Sequence, residues 1–267
     1  MYNFYNEINQ PDSQIDLAKA ALYIAQEEYL GLDIAAYINA LDVMAAEVEE
    51  RLPAERYPLR VIQTLNKYFY DDLRYIGNTN DYYDPRNSFL NEVIDRRTGI
   101  PITLSVVYLE VARRLDFPMV GINMPGHFLI RPEFQDAGIF VDAFNRGEIL
   151  FEQDCEERLS QIYQRPVQLQ PNFTEAVSHR QLLARILTNL KFIYLNSKDF
   201  RRALVAIERI LMLFPDAPME LRDRGLLYYQ LGDKSKASHD LEIYLAMLPN
   251  AEDAEAIRRL LAQLREA

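Results

Sequence analysis

A repeat in the last third of the chain constrains its fold more than any other feature. Shifted by 34 positions, the sequence meets itself: Leu187 falls on Leu221, Tyr194 on Tyr228, Asp199 on Asp233, Ala203 on Ala237 and Pro215 on Pro249. A repeat of that length is a helical hairpin that cannot bury its apolar face alone and must stack on a neighbour. The coincident residues suit such a unit. Ala203 and Ala237 are small where two helices approach closely, and Pro215 and Pro249 stop the second helix of each hairpin. Residues 252–265 carry one more amphipathic pattern, a helix placed to cap the open end of the stack. The first repeat departs from the second at one position, with Lys191 where Gly225 stands. From about Phe173 onward the chain is expected to be helical.

Upstream the periodicity changes twice. Leu17, Ala20, Ala21, Ile24 and Ala25 form one stripe of a helix. Gly31 interrupts it, and Asp33 is placed to cap a second helix running to about Leu52. A third helix is expected over Leu59–Leu73. Residues 76–87 are rich in turn formers and hold Tyr82 and Tyr83. A short helix then runs from Ser88 to about Arg96. Gly99-Ile100-Pro101 opens the next helix, proline suiting a first turn where its missing N–H is not needed. Ile102–Leu115 is strongly apolar, so this helix is expected to be buried, with Arg113 and Arg114 at the negative end of its dipole. Beyond Pro118, segments 119–124, 127–131 and 138–142 read as strands joined by short links, with a loop over Pro132–Ala137. Consecutive strands joined this way favour an antiparallel sheet. The chain is thus expected to divide into an α+β domain over residues 1–172 and an all-α array over 173–267.

Composition narrows the functions. Twenty-nine Lys and Arg against 40 Asp and Glu give a net charge of −11, a poor match to nucleic acid, which rewards clustered cations. The pairs Arg96-Arg97 and Arg113-Arg114 read as ordinary helix ends. No apolar stretch approaches the roughly 20 residues that span a bilayer, and the N-terminal segment has neither a basic nor an apolar signal region. One cysteine, Cys155, cannot form an intramolecular disulfide. A soluble, cytoplasmic protein without membrane or nucleic-acid partners is the expectation.

The chain has three histidines, His127, His179 and His239. His179 heads a helix and His239 lies inside the second repeat, and both read as surface or packing residues. His127 starts one strand and Asp142 ends the next, so the two are close at the ends of a hairpin. An imidazole facing a carboxylate is the base-and-orienter half of a catalytic triad. A metal site is not expected, because no third His or Cys stands at ligand spacing. Arg131 is placed to pair with Asp142 or another acid.

The stretch from Asn87 through Arg96-Arg97-Thr98-Gly99-Ile100-Pro101 to Ser105, followed by Pro125-Gly126-His127-Phe128-Leu129-Ile130-Arg131, resembles the SirB family. Those are bacterial transglutaminase-like proteins with C-terminal tetratricopeptide repeats, and the 34-residue period fits. The resemblance runs over nearly the whole chain. It implies a transglutaminase-like (papain-like) core of helices on an antiparallel sheet. In that superfamily a Cys nucleophile sits at the N-terminus of a buried helix, where the helix dipole and a sheet His lower its pKa. The resemblance carries the His and Asp of the triad onto His127 and Asp142, and the cysteine position onto Pro101. Proline has no nucleophilic atom. Cys155 lies in a separate acidic segment. Thr103 is about 200° around the helix and faces away, while Ser105 lies one turn deeper on the face of Pro101.

The expectation is a non-catalytic protein-interaction or scaffold module, working through its cleft and its repeats, with no cofactor and a protein or peptide partner. The alternative is a hydrolase or transferase of altered mechanism, in which His127, oriented by Asp142, acts as general base. Gly99, Ser105, Tyr82, Tyr83 and Asn87 are the candidate cleft-lining residues. For the tyrosines two readings stand, a recognition surface or plugs in the core with the neighbouring aspartates capping turns.

Overall fold

The computed structural model describes residues 2–134 and 138–266, so residues 135–137 of the expected loop lie outside it. The chain divides into two compact units, 1–186 and 187–267. The dividing point falls within a helix, beyond the 172/173 boundary expected from the onset of the helical pattern.

The first unit opens with α1 (Tyr2–Ile8), α2 (Leu17–Gln26) and α3 (Ile34–Glu49). Asp16 and Asp33 cap α2 and α3, accepting from Lys19 N at 3.0 Å and Ala36 N at 3.2 Å, as short acidic side chains do at helix starts. The whole stripe Leu17, Ala20, Ala21, Ile24 and Ala25 is buried. α4 (Pro58–Asn66) is shorter than its sequence pattern, because the chain widens into a π-helical turn over Lys67–Asp72. That turn places three aromatics in the core. Phe69 stacks on Tyr108 with centroids 5.2 Å apart and meets Tyr75 edge-on at 5.4 Å.

α5 (Leu90–Arg96) leads through a two-residue strand, β2 (Thr98–Gly99), which pairs in parallel with β1 (Ile76–Gly77). α6 (Pro101–Arg114) follows, and every residue from Ile102 to Ala112 is buried. Its terminal arginines do more than face the dipole. Glu110 is only 3% exposed, and both Arg113 and Arg114 bind its carboxylate, so the buried charge is compensated.

The sheet is antiparallel in the order β3 (Met119–Met124), β4 (His127–Pro132), β5 (Ile139–Asp142), β6 (Glu148–Phe151). The last strand and α7 (Glu152–Tyr163) after it were not apparent in the sequence. Cys155 and Leu159 of α7 are fully buried against Ile122, Leu129, Phe140 and Leu150 of the sheet. The turn from β5 to β6 is pinned from below. Asn66 donates to the Gly147 carbonyl at 2.6 Å and accepts from the Tyr108 hydroxyl at 3.0 Å. Gly147 has φ +69°, and a Cβ there would overlap the Asn66 side chain.

α8 (His179–Asn196) is tied at its first turn to the N-terminal segment. The Asp12 carboxylate accepts from the backbone N–H of His179 and of Arg180, both at 2.9 Å, and the His179 ring contacts the Ile15 carbonyl at 3.0 Å. His179 is therefore a packing residue, and His239 is exposed.

The second unit continues with α9 (Phe200–Leu213), α10 (Pro218–Gln230), α11 (Lys234–Met247) and α12 (Ala254–Glu266). The repeat positions do equivalent work. Asp199 and Asp233 both cap their helices, and Ala203 and Ala237 are fully buried. Arg202 lies over the Tyr194 ring at 5.7 Å and Lys236 over the Tyr228 ring at 5.1 Å, the same cation–π contact one repeat apart. Gly225 lets α11 come close, since a Cβ there would meet Leu241 Cγ at 2.8 Å. Lys191, at that position in the first repeat, is 4% exposed. Its ammonium reaches Glu220 at 2.7 Å and Asp223 at 3.1 Å on α10.

Gly147→Ala tests the pinned turn. It should lower stability by about 2–3 kcal/mol, from the disfavoured backbone and the overlap with Asn66, read as a fall in the urea midpoint. A loss below about 0.5 kcal/mol would show that the Asn66 contact yields freely.

Candidate functional site

Asp142 ends β5 with its side chain 3% exposed. A buried carboxylate must be fully satisfied, and this one is. Oδ1 accepts from the backbone N–H of Phe144 and of Asn145, both at 3.1 Å. Oδ2 accepts from Asn145 Nδ2 at 2.8 Å and from Arg158 Nη1 at 3.0 Å. Arg158 projects from α7 and also binds Glu148.

His127 begins β4. The register pairs Ile130 with Val141, and continuing it puts His127 diagonal to Asp142. Its Nδ1 lies 4.0 Å from Asp142 Oδ2, beyond hydrogen-bond reach. The side chain is 32% exposed. Partial burial, helped by the nearby Arg158 cation, holds the imidazole pKa below its ordinary 6.5, against the opposing pull of Asp142 and Glu148. His127 is accordingly neutral at pH 7, with a carboxylate nearby that serves other groups.

Arg131 does not serve Asp142. It donates to the carbonyls of Pro132 at 2.9 Å and Thr174 at 3.4 Å, because it lies at the far end of β4 from His127. Arg158 takes that role instead. No local sequence signal marked it, since the contact joins α7 to the end of β5.

Pro101 occupies the first position of α6, half-buried, after an extended Ile100. The Thr103 hydroxyl accepts from Ile100 N at 3.2 Å and donates to the Asn87 carbonyl at 2.6 Å, which satisfies one of the helix's orphan donors. Ser105 is fully buried, its hydroxyl without a protein partner. Gly99 is buried too, and a Cβ there would meet Thr103 Oγ1 at 2.9 Å.

Asn87 is fully buried and acts as a hub. Its amide donates to the carbonyls of Asp81 at 2.8 Å and Tyr82 at 3.2 Å and accepts from Asn78 at 3.1 Å. Gly99, Ser105 and Asn87 are thus interior residues rather than lining of an open cleft, each drawn inside by close packing around the start of α6. The tyrosines do not plug the core: Tyr82 and Tyr83 are 38% and 66% exposed. They meet edge-on at 5.3 Å, and Tyr82 contacts Phe144 at 6.1 Å, which ties the loop to the Asp142 turn. The neighbouring Asp84 does cap a turn, accepting from Arg86 N at 3.0 Å.

Cys155 is inert as a nucleophile, because burial pushes its thiol up to about 11. Among the described residues, no three His, Cys, Asp or Glu side chains converge to hold a metal ion, and no helix is long and apolar enough to cross a membrane.

A buried helix packed on an antiparallel sheet, with a His and an Asp at adjoining strand ends and helical repeats downstream, defines a transglutaminase-like protein carrying a tetratricopeptide array. The family model of the transglutaminase-like superfamily matches residues 35–188, and that of the tetratricopeptide repeat matches 190–262. The chain belongs to the transglutaminase-like superfamily and, within it, to the SirB-like UPF0162 family that its motifs resemble. It is 39% identical over 260 residues to the UPF0162 protein of Xylella fastidiosa (strain 9a5c), covering 95% of this chain and 91% of that one. To the UPF0162 protein of Vibrio cholerae it is 30% identical over 213 residues, 79% of this chain and 78% of that one. The mouse F-box only protein 21 is 30% identical over 184 residues, 65% of this chain but 28% of that protein. No solved structure gives a significant match.

The electrostatics of the pair predict a titration. Folded His127 resists protonation while the unfolded chain takes a proton near 6.5, so this site costs stability as pH falls below that value and nothing above it. The His127 ring signals in NMR should titrate with a midpoint below 6.5, and Arg158→Gln should move that midpoint upward. A midpoint that stays put in the variant would show that Arg158 does not act on the ring.

Proposed function

We propose that this chain is a non-catalytic transglutaminase-like protein, a scaffold that binds protein partners through its tetratricopeptide array and the exposed Tyr82–Tyr83 face. The observation that carries this is the commitment of Asp142. Its carboxylate is spent on the Phe144–Asn145 turn and Arg158, which leaves His127 without an orienting partner. Pro101, at the position the family resemblance gives to the nucleophile, supplies none, and Ser105 is sealed inside. Two further points support an interaction role. Phe192 and Leu226 hold the same position in successive repeats, and both are exposed, at 53% and 37%. The similarity to an F-box only protein, of which it spans 28%, suits a body used as one module within a larger chain. The lone buried cysteine suits the cytoplasm, where we place the protein.

A second reading has one observation in its favour. His127 is partly exposed and held neutral, as a general base at neutral pH must be. In that reading the chain is a hydrolase or transferase that activates water or a substrate hydroxyl without a covalent intermediate.

Quantitative mass spectrometry of proteins captured by the full chain separates the two. Wild type and His127→Ala should retain the same partners within about twofold, while Phe192→Asp with Leu226→Asp should lose them by about tenfold, the size expected for buried apolar anchors. A cleaved or modified product formed by wild type and absent with His127→Ala would sink the non-catalytic reading.

A further inference from the structure

One cavity of the first unit is positively charged, although that unit holds the chain's entire charge imbalance. Residues 1–186 carry 17 Lys and Arg against 28 Asp and Glu, and residues 187–267 carry 12 of each. Against this acidic background, a cavity of about 750 Å³ is lined by Arg51, Arg60, Gln63, Thr64, Lys67 and Tyr68, together with Pro53 and one carboxylate, Asp72. The volume falls within the usual range of ligand sites, roughly 300–1,000 Å³.

The sequence builds this lining on one helix face. Arg60, Gln63, Thr64 and Lys67 stand at i, i+3, i+4 and i+7, so α4 and the turn after it present them as a single stripe. Arg51, in the turn just beyond α3, lines it as well. Its guanidinium lies 4.7 Å from the centroid of the Tyr68 ring and pairs with Asp72. Tyr68 is itself fixed, donating to Glu47 at 2.8 Å. Arg60 and Lys67 are exposed, and neither meets a carboxylate among the described residues.

A second observation points the same way. Lys67, Tyr68 and Asp72 all belong to the π-helical turn, closed by the bond from Leu73 N to the Tyr68 carbonyl at 2.9 Å. π-helical turns are rare and concentrate at functional sites. Here the widened turn sets Lys67 and Tyr68 on the cavity side while Tyr70 is drawn into the core, donating to the Ala143 carbonyl at 2.9 Å.

We propose that this groove docks a short acidic segment of a partner protein, with two carboxylates engaging Arg60 and Lys67. Those residues sit seven positions apart on a helical path, a span of about 10 Å. An extended peptide matches that span with carboxylates about three residues apart. The Gln63 amide is placed to bond the peptide backbone between them. Exposed cations on an open groove favour a chain that lies across them over a small molecule that needs enclosure. A long polyanion is disfavoured, because nucleic acid carries charge continuously and would meet Asp72 in the lining and Glu47 behind Tyr68. The site is independent of the His127–Asp142 pair, so its failure leaves the function proposed above untouched.

Fluorescence anisotropy of labelled hexaglutamate with the full-length protein tests the assignment. Wild type should bind it saturably and hexaglutamine not at all. Affinity should fall several-fold between about 50 and 300 mM salt, as screening of exposed charges requires. Arg60→Glu with Lys67→Glu should weaken binding by about tenfold or more, and the milder Arg60→Gln with Lys67→Gln should weaken it in the same direction. Lys198→Glu with Arg201→Glu makes the same charge change on exposed residues of the second unit and should leave binding within about twofold, with circular dichroism melts confirming that every variant is folded. Absence of saturable binding, or equal losses in the two charge-reversed variants, would overturn the proposal. So would ATP or hexathymidylate binding more tightly than hexaglutamate with the same dependence on Arg60 and Lys67, which would assign the groove to a phosphorylated ligand.

Discussion

The carboxylate of Asp142 is the constraint around which the sheet end of the first unit is arranged. An ionised carboxylate offers about four acceptor positions, and burial requires that they be filled. Two backbone amides of the following turn, the Asn145 side chain and Arg158 fill them. The consequences spread outward. The turn is held tight enough for Gly147 to adopt its positive φ above Asn66. α7 is anchored by Arg158 as well as by Cys155 and Leu159. His127 is left as a neighbour rather than a partner. A triad needs its acid to serve the imidazole, and here stability and that geometry compete for the same oxygens, with stability holding all of them.

Much of this architecture was legible because it obeys a period. The α2 stripe, the apolar run of α6, the strands around Pro125-Gly126 and the 34-residue repeat all announced themselves through spacing, and the structure follows them within a few residues. What escaped lacked a period or depended on distant partners. The segment Glu152–Glu157 is acidic and carries no apolar stripe, and only Cys155 and Leu159 of α7 are buried. Arg158 gives no local hint of its role. The α4 pattern continues smoothly to Leu73, and nothing in it signals a switch from α to π hydrogen bonding. Asn87 reads in the sequence as a candidate cleft residue, yet its side chain holds together a loop whose bonding groups lie five to nine residues away. The tyrosines of that loop admit two readings from sequence alone, because large apolar rings usually go inside, and in the structure these lean on each other at the surface.

Both units compensate buried charge with ion pairs, and the first adds backbone donors and hub side chains: there Arg113 and Arg114 bind Glu110, and Arg158 binds Asp142. The second uses ion pairs between helices, such as Lys191 with Glu220 and Asp223, or Arg224 with Asp240 at 2.6 Å. Lys191 shows how a repeat can lose its glycine: a long side chain leaves the crowded contact and reaches acids on the following helix.

Arg224 and Asp240 sit one period after Leu190 and Ala206. Asp240 is 1% exposed, and Leu190 and Ala206 are 3% exposed each. The same two slots are therefore apolar in one hairpin and ionic in the next. Two hairpins of the same sequence period are thereby made non-interchangeable. A slip or exchange that set one repeat's helix against the other's partner would strand a charge against a hydrocarbon surface, at a cost of several kcal/mol. The alternation acts as an address label, telling each helix which neighbour is its own in an array whose 34-residue period would otherwise permit mistakes.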